Sequence, residues 1–125
     1  EHESLFESIV SSGGVVLSEF PCHRSPQPAY FPRRNRIVSG LSSVVLVVEA
    51  ARRSGALITA RIAVEEHGRQ CFVVPGRLGD SASAGCIQAI RDEWVAVAVH
   101  PEDLIEEAVS AWARLSVANK NGVRQ

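Results

Sequence analysis

Phe31-Pro32-Arg33-Arg34-Asn35-Arg36 sets an aromatic ring, an amide and three guanidinium groups within six residues. Such a set suits an anionic polymer with stackable bases, because arginine forks bind phosphate oxygens in pairs and an aromatic face accepts a base. From Pro21 through Val48 no acidic residue cancels that charge, although the whole chain holds 13 basic and 14 acidic side chains and a formal net charge of -1. The positive charge is therefore local. A protein that coats DNA nonspecifically would be clearly basic overall, so any nucleic-acid site here must be a patch.

Pro32 suits the first turn of a helix and biases Phe31 toward extended backbone, which predicts a helix over Arg33 to Leu41 after an extended loop with Pro21, Pro26 and Pro28. The free N–H groups at such a start attract anions. At about 100° per residue, Ile37, Val38 and Leu41 mark the buried side of this helix, with Arg34 near its centre and Asn35 and Arg36 pointing away. Arg34 then either pairs with a carboxylate at a strand end, Glu19 or Glu49, or reaches a bound phosphate. Tyr30 and Phe31 are either loop anchors or stacking platforms, and Arg33 adds charge beside them. On this reading binding rests chiefly on Arg36, Asn35 and Phe31.

Two further segments offer anion cradles. In Glu49 to Ala60, a strand end leads to Ser54-Gly55 and a fresh helix, where Ser54 can cap, Gly55 permits close backbone approach and the Thr59 hydroxyl can reach an oxygen. The bland alternative is a helix cap alone. Past Val74-Pro75-Gly76, Ser83-Ala84-Gly85 precedes another helical segment and could present N–H groups to a phosphate, the weakest of the three signals.

These residues need a scaffold. At 125 residues and 46% hydrophobic, the chain is one domain's worth of globular protein. Leu5, Phe6, Ile9 and Val10 recur at helical spacing, and Ser11 to Gly14 ends that helix. Four short valine-rich runs follow, Val15 to Ser18, Val44 to Val48, Cys71 to Val74 and Val95 to Val99, with helical stretches Ala56 to Glu66 and Glu102 to Arg114 among them. Continuous apolar runs alternating with helices predict βαβ units in an open α/β sheet with helices on both faces, and a polar, frayed tail over 118–125. Ligands of such sheets bind at the carboxyl ends of the strands, where all three segments fall.

Cys22, Cys71 and Cys86 have no CxxC spacing and are odd in number, which fits a reducing cytoplasm. The apolar runs are too short for a membrane helix, and no secretory signal opens the chain. The chain contains no Met, the expected mark of a fragment. No Walker A, nucleophile elbow or metal set stands out, Cys22 beside His23 is only a sequence neighbour, and neither a cofactor nor a metal is expected.

The order Ser18-Glu19-Phe20-Pro21, Phe31-Pro32-x-Arg34-Asn35-Arg36-Ile37, Val47-Val48-Glu49-Ala50, Ser54-Gly55-x-Leu57-x-Thr59-Ala60 and Val74-Pro75-Gly76 resembles the DprA (Smf) family, DNA-processing proteins of bacterial transformation. The resemblance covers Glu1 to Glu107. It implies an α/β, Rossmann-like three-layer sandwich with a mostly parallel sheet over residues 1–117, which binds single-stranded DNA without catalysis, forms a homodimer and helps load the RecA recombinase, with Phe31, Arg34, Asn35 and Arg36 in the DNA groove. It also implies that the domain is incomplete here, lacking the family's earlier glycine-rich loop and the C-terminal winged helix that many members carry. Where the family usually has S-x-G-[ST]-N, Cys86-Ile87 replaces the polar pair. Two other classes compete: a nucleotide-processing enzyme of the lysine-decarboxylase-like group, using Glu49 near Ser54-Gly55, and an interaction fragment that pairs through an open sheet edge.

Overall fold

The computed structural model describes residues 2–21 and 23–122, with side chains described through Arg114. In chain order the elements are α1 (Glu3–Ser11), α2 (Tyr30–Leu41), β1 (Val44–Val47), α3 (Gly55–Glu65), β2 (Gln70–Val73), α4 (Ala84–Arg91), β3 (Ala96–Val97) and α5 (Pro101–Gly122). The strands pair in parallel in the order β1-β2-β3, Val44 opposite Gln70, Val47 opposite Val73 and Phe72 opposite Ala96. Each crossover carries a helix. The class is α/β with a parallel sheet, as the alternation of valine runs and helical stretches predicts.

Valine suits a pleated, buried surface, and strand alternation sends Val45, Val47, Cys71 and Val73 to one face. There they join Leu57, Ala60 and Val64 of α3 with Cys86 and Ile90 of α4 in a single core cluster. Val44, Leu46 and Phe72 take the other face by the same alternation, and α5 packs along β1. No helix among the described residues is long and apolar enough to cross a membrane.

Some boundaries differ from expectation. Val15 to Ser18 is not a strand, because Val15 and Leu17 are 70% and 58% exposed and nothing pairs with their backbone; β-propensity alone cannot hold a strand. Helix α2 begins at Tyr30, three residues early, so Phe31 is helical rather than extended. Pro32 occupies the third helical position, where its missing N–H has no acceptor within the helix to lose. The backbone of α5 is helical through Gly122, across much of the expected tail, while residues 123–125 and Cys22 lie outside the described residues.

Two glycines mark close approach. A Cβ on Gly85 would lie 2.5 Å from the Ala51 carbonyl oxygen and 2.6 Å from that of Ala50, and the Gly85 N–H donates to the Ala50 oxygen at 2.8 Å. A Cβ on Gly76 would collide with the Ser83 side chain. Gly85→Ala is expected to destabilise the fold by about 1–3 kcal/mol through overpacking against rigid backbone. Gly55→Ala, whose added Cβ meets nothing within 4 Å, should leave the thermal midpoint within experimental scatter of the parent or raise it.

Cys71 and Cys86 are free and buried at this core. Burial, with the neighbouring Cys86 adding to it, pushes the Cys71 thiol up to about 11, and burial raises Cys86 as well. The thiolate is the reactive form, so at pH 8 both should resist N-ethylmaleimide while the chain is folded and react on denaturation, as read by mass spectrometry of digested protein.

Candidate nucleic-acid interface

Residues 42 and 43 join the end of α2 to the start of β1, so α2 finishes at the amino end of the sheet and starts at its carboxyl end. Helix α3 follows β1 and therefore also starts at the carboxyl end. The two helices pack together. The end of α2 also packs on the connection from α3 to β2 through small and polar residues: Ser39, fully buried, sets its Oγ 3.0 Å from His67 Nδ1, and Arg69 Nη2 donates to the Gly40 oxygen at 3.0 Å.

This seam overturns the expected facing of α2. Ser39 and Gly40 turn inward with half-buried Asn35 and Ile37, whereas Val38 and Leu41 are 48% and 71% exposed. A Cβ on Gly40 would stand 3.4 Å from the His67 ring, already at van der Waals contact. Apolarity was the wrong guide because close approach, rather than oil, sets the contact. Arg34 consequently lies on the surface, with Nε donating to Asn35 Oδ1 at 3.2 Å and its guanidinium 6.0 Å from the centre of the Phe31 ring. Neither Glu19 nor Glu49 pairs with it.

Glu19 pairs instead with Arg36, whose Nη2 donates to Glu19 Oε1. Arg36 is thus already neutralised, and Asn35 is half-buried and already accepting a bond from Arg34. The exposed set at the start of α2 is Phe31, Arg33 and Arg34: Phe31 is 59% exposed, and among the described residues neither arginine forms an ion pair, although Arg34 bonds to Asn35 and both lie near aromatic rings.

Tyr30 is an anchor. Its ring stacks on Phe20 with centroids 4.1 Å apart and planes at 24°, Arg24 Nη1 donates to its hydroxyl at 3.2 Å, and Arg33 lies over Phe20 at 5.4 Å. Phe20 and Arg24 were missed as site residues. Their signal was the presence of two rings flanking a proline-rich loop, a spacing that requires them to meet if the loop closes.

The second segment behaves as a capped helix start. Ser54 Oγ accepts from the Ala56 N–H at 3.2 Å, and Gly55, the first residue of α3, has open space where a Cβ would be. Thr59 is not free to donate outward, because its hydroxyl donates to the Gly55 oxygen at 3.3 Å. Arg52 and Arg53 are exposed beside this start and form no ion pair among the described residues. At the third segment Ser83 is buried and Gly85 gives its N–H to Ala50, so that N–H cannot meet a phosphate. The Gly85–Ala50 bond does bring the second and third segments together.

The family model for DNA recombination-mediator protein A matches residues 1–109. The chain belongs to that family. It is similar to Protein Smf of Escherichia coli, 48% identical over 105 residues, and to DNA processing protein DprA of Bacillus subtilis, 46% identical over 93. These alignments take in 84% and 74% of this chain but only 28% and 31% of the relatives. Among solved structures, DprA from Streptococcus pneumoniae superposes with a TM-score of 0.69 at 37% identity, covering 85% of this chain and 36% of that one. DNA processing protein A from Helicobacter pylori, whose structure is described by a unique single-stranded DNA binding mode, gives 0.64 at 27% identity over 74% of this chain and 42% of that one. The family is one of DNA-processing proteins rather than of enzymes, and its solved members share the Rossmann-like α/β arrangement seen here.

The Arg36–Glu19 pair is half exposed, with side-chain exposures of 50% and 36%. A double-mutant cycle on Arg36→Ala and Glu19→Ala should therefore give a coupling of about 0.2–1 kcal/mol, shrinking at high salt, rather than the several kcal/mol of a buried pair.

Proposed function

We propose that this chain supplies part of a single-stranded DNA-binding surface at the carboxyl end of its sheet. One observation carries the reading: Phe31, Arg33 and Arg34 are exposed together within the first five residues of α2, with no carboxylate paired to either arginine among the described residues. Two exposed guanidinium groups with no ion pair attract backbone phosphates, and an exposed ring beside them stacks a base. The single-stranded DNA binding of the Helicobacter pylori relative supports the choice of ligand. Tyr30 fixes the loop behind the site, Ser54 and Gly55 present a second helix start to the same polymer, and Arg36 and Asn35 hold the framework.

In the wider reading, this surface serves DNA uptake and recombination in the cytoplasm, in a homodimer that hands single strands to a RecA-type recombinase. The family's description as a recombination mediator supports that role.

Fluorescence anisotropy with a labelled oligonucleotide tests the site. Arg33→Ala and Arg34→Ala should each weaken binding and lower the slope of log K against log salt by about 0.7, the amount expected for one lost phosphate contact. Phe31→Ala should cost about 1–3 kcal/mol with little change in slope. Arg36→Ala should have the smallest effect of the arginine substitutions. Unchanged affinity in the Arg33 and Arg34 variants would reject the surface.

A further inference from the structure

Beyond the start of α2, the described surface holds a groove of about 430 Å³ between α3 and α4. That volume lies within the range of small-molecule sites, about 300–1,000 Å³. Its apolar wall includes Leu57, Ile58, Ala89 and Trp94, and its charged rim Arg52, Arg53 and Arg61. Arg61 is held in place twice: Nη1 donates to Glu65 Oε1 at 3.0 Å, and the guanidinium lies 4.6 Å from the centre of the Trp94 ring. The result is a flat cation fixed on an indole, half exposed at its outer side. The indole N–H is buried without an acceptor among the described residues, so hydrogen bonding does not account for the position of Trp94.

Arg52 and Arg53 differ from Arg61 in having no carboxylate partner among the described residues. Asp92, the one acidic residue of the lining, accepts from Gln88 Nε2 at 2.8 Å and keeps its second oxygen for a donor such as the exocyclic amine of a base. Arg52 and Gln88 also line an adjoining groove of about 340 Å³ that carries Arg91 together with Asp80, whose Oδ1 already accepts from the Ala82 N–H, so guanidinium groups continue past the first groove.

Resting on the single-strand reading above and extending it, we propose that the α3/α4 groove is a second nucleotide subsite for the same strand. One base stacks on the Arg61–Trp94 platform, its phosphate is held by Arg52 and Arg53, and the next phosphate passes toward Arg91. Guanidinium and indole faces stack on any base, and paired arginines recognise the backbone, so the subsite takes single strands without strong sequence preference.

Trp94 makes the test direct. In a Trp112→Phe background, which removes the exposed indole of α5, a dT oligonucleotide should quench the remaining tryptophan emission as it binds. Arg52→Ala and Arg53→Ala should abolish the quench and lower the salt slope by about 0.7 per arginine. Ile58→Glu, at a position 48% exposed, should repel the strand while leaving the thermal midpoint unchanged. Full affinity and an unquenched Trp94 in the Arg52 and Arg53 variants, with binding still lost on Arg33 or Arg34 substitution, would overturn the second subsite and leave the first standing. If neither arginine pair affects binding, both readings fall. A change in self-association by sedimentation without any change in oligonucleotide affinity would mark the groove as a protein contact and also overturn the proposal.

Discussion

The contact between Gly85 and the backbone of Ala50 and Ala51 is the constraint on which the functional end of this domain depends. Parallel strands leave their connecting loops at one end, and a loop is only as well placed as whatever holds it from beneath. Here the first turn of α4 comes so close to the loop after β1 that only hydrogen fits at position 85, and the Gly85 N–H bonds to the Ala50 oxygen. Arg52, Arg53 and the Ser54 cap follow directly from this tied-down point, and the same approach brings α4 against α3 to form the groove between them.

A second close approach, Ser39 and Gly40 against His67, sets the rotation of α2. Because those small residues must face inward, the helix turns Arg33 and Arg34 to solvent and leaves Arg36 within reach of Glu19. Which arginine meets a carboxylate and which faces solvent alone is set by packing at the far end of the helix. Charge at the site follows from that rotation.

The α/β class, the parallel sheet, three of the strands and the Ser54 cap were legible because each depends on local chemistry: valine runs, alternation with helices, and a hydroxyl before an apolar helix. The facing of α2 was not, because the apolar pattern Ile37, Val38, Leu41 points one way while the seam uses a serine and a glycine that hydropathy ignores. Val15 to Ser18 misled for a related reason, since β-propensity says nothing about whether a neighbouring strand exists. Phe31 is exposed and Ser54 caps α3, whereas the partners of Arg36, Thr59 and Gly85 came only with the fold, because partners distant in sequence, such as Glu19 for Arg36, cannot be assigned from spacing.

The Phe20–Tyr30 stack, closed by Arg24, has a kinetic meaning. A loop with Pro21, Pro26 and Pro28 has fewer unfolded conformations to lose, and the stacked rings with their cation fix what freedom is left. Its ordering cost is met when the domain folds, not when a partner arrives. On the proposed single-strand reading, a polyanion would meet a surface already ordered, with a capture rate set by long-range attraction and diffusion and falling steeply as added salt shortens the reach of the arginines.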